Sequence, residues 1–144
     1  MKTILLVEDQ AEVRTFTRRL LQRHGYDVIE AENAAAALRI WPDQGARVDL
    51  LLTDLSMPGG ARGDTLARQL QAQKPRLPVV FTSGYDATAV DWNPRLVEGE
   101  NFIPKPSPAA LMLQTIRFAL SAAVSDANGK ADLEPSILLA EGRF

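Results

Sequence analysis

The chain has 144 residues, 16 basic and 18 acidic side chains for a formal net charge of -2, and no cysteine. That length supports one domain with a full hydrophobic core. Scattered, nearly balanced charge leaves no footprint for direct nucleic-acid binding, and the lack of cysteine excludes disulfides, thiolate catalysis and cysteine-based zinc sites while fitting a reducing, cytoplasmic location. The apolar run at residues 3–7 is too short for a signal sequence or a membrane span, so a soluble chain without membrane contact is expected.

Short apolar runs alternate with stretches of helical period, the pattern of βα units that build a parallel sheet, and five such units fit. The first run, Ile4, Leu5, Leu6 and Val7, is closed by Glu8 and Asp9. A helix over residues 11–24 follows, with Val13, Phe16, Thr17, Leu20 and Leu21 on one stripe, Arg14, Arg18 and Arg19 largely off it, and Gly25 as its stop. The sole histidine, His24, falls in the last turn, where a positive charge suits the helix dipole, and reads as structural or solvated.

A second strand around Val28 and Ile29 leads into a helix carrying Ala34, Ala37, Leu38 and Trp41, which Pro42 and Gly45 should stop. The third strand, residues 50–53, is wholly apolar up to Thr53, as expected for a strand covered on both faces, and Asp54 closes it. A helix over residues 63–74 and a strand over residues 79–82, closed by Ser83, come next. The following helical segment is weak: residues 87–90 could turn, but Pro94 and Gly99 break up the approach to the apolar pair Phe102 and Ile103, so a short or irregular fourth helix is expected.

The last helix is expected over residues 108–124, with Ser107 as N-cap and Pro108 in the first helical position. Its stripe Met112, Leu113, Ile116, Leu120 and Ala123 suits a sheet, and Leu111, Thr115, Phe118 and Ala122 form a second stripe facing elsewhere. Residues 1–124 thus form one domain, and residues 125–144 read as a linker-like tail with an apolar cluster at Ile137, Leu138 and Leu139. Trp41 and Trp92 read as packing residues.

Ligands bind at the carboxyl ends of strands in open parallel α/β sheets, so Glu8, Asp9 and Asp54 converging there imply a hard cation and something phosphorylated. Lys105, followed by Pro106, and Ser83 complete a phosphoryl-accepting set. Each has a plainer reading alone: Asp54 as a loop carboxylate, Glu8 and Asp9 as acids at a helix N-terminus, Ser83 and Lys105 as turn residues. All four would have to hold together.

Over residues 1–124 the chain resembles a response-regulator receiver domain. The resemblance rests on Leu6-Val7-Glu8-Asp9, on Asp54-Leu55-Ser56-Met57-Pro58-Gly59-Gly60, on Ser83-Gly84 and on Lys105-Pro106, in that order and at family-like separations. The wording Phe81-Thr82-Ser83-Gly84-Tyr85 is most similar to receivers of hybrid sensor histidine kinases.

The resemblance implies a doubly wound five-stranded parallel sheet of flavodoxin-like order 2-1-3-4-5. It implies Mg²⁺ held by Glu8, Asp9, Asp54 and the Ser56 carbonyl, and Asp54 as acceptor of a phosphoryl group from a histidine kinase or histidine phosphotransfer protein. Lys105 would neutralise phosphoryl oxygens, Gly84 would leave room beside them, and Ser83 would donate to one of them while Phe102 rotates inward. Ser56 and Tyr85 flank the path of water to the acyl phosphate, and neither is suited to orient it, so the phosphoryl state should be long-lived. The first helix, with its arginines, is where such domains meet their partners.

The chain is then a switch rather than a turnover enzyme, and its output surface, or a weak homodimer, is expected on the fifth strand and last helix, with the tail competing for that face. Two alternatives remain. A haloacid-dehalogenase-like phosphatase also uses a strand-end Asp with Mg²⁺, but normally has a second Asp where this chain has Ser56. A flavodoxin-like cofactor binder would need a phosphate-cradling loop after the first strand, and none follows it. Whether the chain is a free regulator or the receiver piece of a hybrid kinase is left open by the sequence.

Overall fold

The computed structural model describes residues 1–57, 62–83 and 96–125. Five parallel strands, β1 (Thr3–Val7), β2 (Asp27–Ala31), β3 (Leu50–Asp54), β4 (Val79–Ser83) and β5 (Phe102–Pro104), form one sheet in the order β2-β1-β3-β4-β5. The helices among the described residues are α1 (Ala11–Arg23), α2 (Ala34–Gln44), α3 (Gly63–Gln73) and α4 (Ala109–Ser125). The expected short fourth helix, like Trp92, falls on residues 84–95, and the tail cluster on residues 126–144; both lie outside the described residues.

Side chains alternate across a strand, so a sheet covered on both faces divides each apolar run between two cores. Leu5, Val7, Leu51, Phe81 and Phe102 pack with Trp41 of α2 and with Leu66, Ala67 and Leu70 of α3. Ile4, Leu6, Leu50, Leu52, Val80 and Ile103 pack with Leu20 and Leu21 of α1 and with Leu113, Ile116 and Ala119 of α4. β1 and β3 are buried along their whole length, which explains their unbroken apolar character.

Four local expectations need correction. In α1 the buried residues are Thr17, Leu20 and Leu21, while Phe16 is 65% exposed. Arg14 shares the inner stripe at i, i+3 and i+7 with Thr17 and Leu21, and it turns toward β2 with Arg18, their Nε atoms lying 3.5 and 3.0 Å from the two carboxylate oxygens of Glu30. Those two arginines are therefore partly buried rather than a solvated face.

Pro42 does not stop α2. The helix runs on to Gln44 and passes into a 3-10 turn, Gly45–Arg47, with Gly45 packed beneath the Trp41 ring. The carbonyls of this turn are not left bare: Lys74, just past α3, donates from Nζ to those of Gly45, Ala46 and Val48 at 3.0, 3.2 and 2.5 Å.

Ser107 does not cap α4, because its hydroxyl turns back to the Pro104 carbonyl and the helix begins at Ala109, with the Pro108 carbonyl accepting from Leu111. The second stripe also divides. Thr115 is fully buried and donates to the Leu111 carbonyl at 2.7 Å, and Leu111 packs on the core, which leaves only Phe118 and Ala122 facing outward.

The register of α1 gives a direct test by urea denaturation. Leu21→Ala removes a fully buried side chain and should lower stability by about 3 kcal/mol. Phe16→Ala should change it by less than about 0.5 kcal/mol.

Candidate functional site

The sheet register brings the candidate residues to one edge. Val7 pairs with Thr53 and Asp54 with Thr82, so β1, β3 and β4 run out together, and β5 ends beside Ser83. Main-chain bonds carry the ladder one step past the strands: Glu8 N–H donates to Ala31 at 3.1 Å, Leu55 N–H to Thr82 at 2.8 Å and Lys105 N–H to Ser83 at 2.7 Å. The chemical groups are thus placed by the sheet rather than by loops.

Glu8 and Asp54 are buried, 3% and 6% exposed, and the Lys105 ammonium lies between them, 2.6 Å from Glu8 Oε1 and 3.2 Å from Asp54 Oδ2. The remaining oxygens are held more loosely, Glu8 Oε2 accepting from Gln10 N–H at 3.2 Å and Asp54 Oδ1 from Ser56 N–H at 3.4 Å. Gln10 is the N-cap of α1 without a side-chain cap bond, so neither Glu8 nor Asp9 serves as that cap. Glu8, Asp9 and Asp54 each offer an oxygen within 4.8 Å of the others. An all-carboxylate donor set of this size fits a hard divalent cation such as Mg²⁺.

Burial pushes the Asp54 carboxyl above the usual carboxylate range; the Lys105 ammonium opposes the shift and the Glu8 charge adds to it. Burial also works against the Lys105 ammonium, but its hydrogen bond to Glu8 and the charges of Asp54 and Glu8 outweigh that and hold the lysine above its ordinary value.

Of the sequence candidates, Glu8, Asp9, Asp54 and Lys105 form one cluster, and the Ser83 carbonyl anchors the Lys105 main chain. Ser56 is exposed, next to the cluster, and bridges to Arg62. Phe102 is 1% exposed, packed in the core with Phe81. Gly84 and Tyr85 lie outside the described residues. The sequence reading missed Arg14, whose Nη1 donates to the Glu8 carbonyl at 2.7 Å; nothing local signals it, because the contact depends on how α1 is turned against the sheet.

The family described as "Response regulator receiver domain" matches residues 4–117. The chain belongs to this family. It is 36% identical over 115 residues to the sensor kinase CckA of Brucella abortus, covering 80% of this chain but only 12% of that kinase. It is also 36% identical over 91 residues to the response regulator receiver protein CpdR of the same organism, covering 63% of this chain and 73% of CpdR.

The crystal structure of the receiver domain from the hybrid histidine kinase CckA matches with a TM-score of 0.67 at 34% identity, over 82% of this chain and 98% of that one. A CheY-like receiver from Methanospirillum hungatei, at 22% identity and a TM-score of 0.73 over 88% of this chain and 98% of that one, shares the fold. The protein is a receiver domain of two-component signalling, similar to that of a hybrid kinase, and this membership sets aside the phosphatase and flavodoxin-like alternatives. Among the described residues no helix is long and apolar enough to cross a membrane.

The raised Asp54 carboxyl should make stability depend on pH. A carboxyl whose folded pKa is raised adds stability only at low pH, and that contribution is lost as pH rises through the folded value. At pH 7 in chelator, Asp54→Asn should therefore raise the melting temperature, and the gain should shrink as pH falls toward about 4. Lys105→Met should lower stability, by on the order of 2 kcal/mol, because it leaves Glu8 and Asp54 unpaired.

Proposed function

We propose that this receiver domain accepts a phosphoryl group on Asp54 from a phosphohistidine of a histidine kinase or histidine phosphotransfer protein, in a Mg²⁺-dependent phosphorelay step. The observation that carries this reading is the Lys105 ammonium set between Glu8 and Asp54 at the edge where Asp9 also converges. In the transfer an Asp54 oxygen forms a bond to phosphorus while the bond from phosphorus to the imidazole nitrogen breaks, its electron pair staying on the imidazole. The product is an aspartyl phosphate.

Glu8, Asp9, Asp54 and the Ser56 carbonyl would hold the cation. When bound, it supplies charge that offsets the repulsion among the carboxylates and the phosphoryl oxygens. Lys105 would add a fixed positive charge toward the transferred group, and Ser83, at the end of the neighbouring strand, would donate its hydroxyl. Ser83 forms the proposed switch, since Phe102 already lies inside and has no inward rotation to make, Gly84, Ser56 and Tyr85 border the phosphoryl group, and the domain covers residues 1–124.

Receiver domains are regulatory, so the chain acts as a switch that undergoes phosphotransfer and slow self-dephosphorylation rather than as a turnover enzyme. A cytoplasmic setting follows from the proposed partners. The face formed by β5 and α4, where Phe118 is 49% exposed, is proposed as the output or weak dimer surface. Similarity to a receiver within a long kinase and to a short receiver protein supports either setting, free regulator or hybrid-kinase piece.

Labelling with radioactive acetyl phosphate tests the reading. The native protein should take up acid-labile label in Mg²⁺, Asp54→Asn should take up none, and chelator or Lys105→Ala should slow uptake by about a hundredfold or more. Undiminished labelling of Asp54→Asn would sink the assignment.

A further inference from the structure

We propose that Gly63 is a positioning residue for the nucleophile: by lacking a side chain it lets the first turn of α3 rest directly on the Asp54 main chain and fix the carboxylate for cation binding and phosphoryl acceptance. The inference rests on the phosphoacceptor reading above and adds to it a residue with no ionisable group.

Gly63 opens α3, is buried, and donates its N–H to the Leu55 carbonyl at 2.9 Å. Its φ lies outside the left-handed region, so the backbone conformation itself does not call for glycine. Close approach does. A Cβ on Gly63 would lie 2.1 Å from the Asp54 carbonyl oxygen, 3.0 Å from its carbonyl carbon and 3.2 Å from Leu55 Cα. The first distance is about 1 Å shorter than a side-chain carbon tolerates, and all three obstructing atoms are main chain, so no change of rotamer relieves the clash.

Neither partner has free space to retreat. Behind Gly63, Leu66 and Ala67 seat the first turns of α3 in the core. On its far side the Asp54 segment is fixed to β4, through the pairing of Asp54 with Thr82 and the bond from Leu55 N–H to Thr82. The Ser56–Arg62 bridge closes the connection between the two ends, so Ser56, whose carbonyl is a proposed ligand, is held by the same contact. A contact of backbone on backbone positions Asp54 without the rotamer freedom of a side-chain brace. Any side chain at position 63 must displace either α3 or the peptide that carries the nucleophile.

The test compares the native chain, Gly63→Ala and Leu70→Ala, the last being a control that loosens the buried face of α3 two turns beyond Gly63. Magnesium chloride binding is measured by calorimetry and labelling by acetyl phosphate, both at a temperature where each protein is folded. Gly63→Ala should bind Mg²⁺ at least about tenfold more weakly and label at least about tenfold more slowly, since a displacement near 1 Å can cost about a hundredfold in transfer rate. It should also shift the Asp54 and Leu55 amide resonances. Leu70→Ala, although less stable, should keep native affinity and rate.

Native behaviour of Gly63→Ala overturns the proposal, and so does an equal loss in Leu70→Ala, which would make the effect one of general stability. If Gly63→Ala does not fold, hydrogen exchange in the native protein decides: the Gly63 amide should be protected as strongly as that of Leu52 in β3, and fast exchange there overturns the brace. A native protein that neither binds Mg²⁺ nor labels would instead refute the phosphoacceptor reading.

Discussion

Three carboxylates gathered at the carboxyl edge of a sheet repel one another, and two of them, Glu8 and Asp54, are almost wholly removed from water. Without a counter-charge such a cluster would protonate or push apart. The Lys105 ammonium, at hydrogen-bonding distance from both buried acids, supplies that counter-charge. Its own position depends on the sheet, because Lys105 N–H extends the ladder onto Ser83 one step beyond β5. The charge balance of the site and the order of the strands are therefore one constraint. The order β2-β1-β3-β4-β5 places the end of β1 beside the end of β3, and because every pairing is parallel the β5 connection starts from the same edge.

That constraint explains why the core is divided as it is. The central strands must stay fixed if the groups one residue beyond them are to keep their distances, and burial on both faces achieves this, with α2 and α3 on one side and α1 and α4 on the other. The helices also reach the site through the main chain. Arg14 of α1 holds the Glu8 carbonyl, and Gly63 of α3 abuts that of Asp54. Arg14 is in turn tied to the edge strand β2 through Glu30, which Arg18 shares. The segments carrying the acidic groups are thus braced from both faces of the sheet.

β1 and β3 were legible because two-sided burial writes them as unbroken apolar runs, and the acidic cluster was legible because it falls directly after those runs. The face of α1 was not. Leu20 and Leu21 fit a stripe with Val13 and Phe16 as well as one with Arg14 and Thr17, and the choice depends on an ion pair with Glu30 in another element, so the sequence alone puts Phe16 inside and Arg14 outside. Pro42 and Ser107 failed for a related reason: local rules for stopping and capping helices yielded to a helix that runs two residues past its proline and to a hydroxyl that bonds backward to Pro104. Gly63 gave no signal at all, since the reason for a glycine of ordinary φ is the atom it touches, and that atom lies nine positions earlier in the chain.

The distances within the cluster also suggest how its roles divide. Glu8 takes the shorter contact with Lys105, 2.6 Å against 3.2 Å for Asp54, so Glu8 is the better anchor for the ammonium. Asp54 is left with two weakly engaged oxygens, one at 3.2 Å from the lysine and one at 3.4 Å from the Ser56 amide, and burial keeps its carboxyl reluctant to remain charged. A nucleophile needs lone pairs that are oriented but not consumed by strong hydrogen bonds. On that criterion Asp54 suits the acceptor role better than Glu8, whose charge is already committed to the lysine. A carboxylate held by the backbone and poorly satisfied by its hydrogen-bond partners is pre-organised for a group that brings its own positive centre at phosphorus.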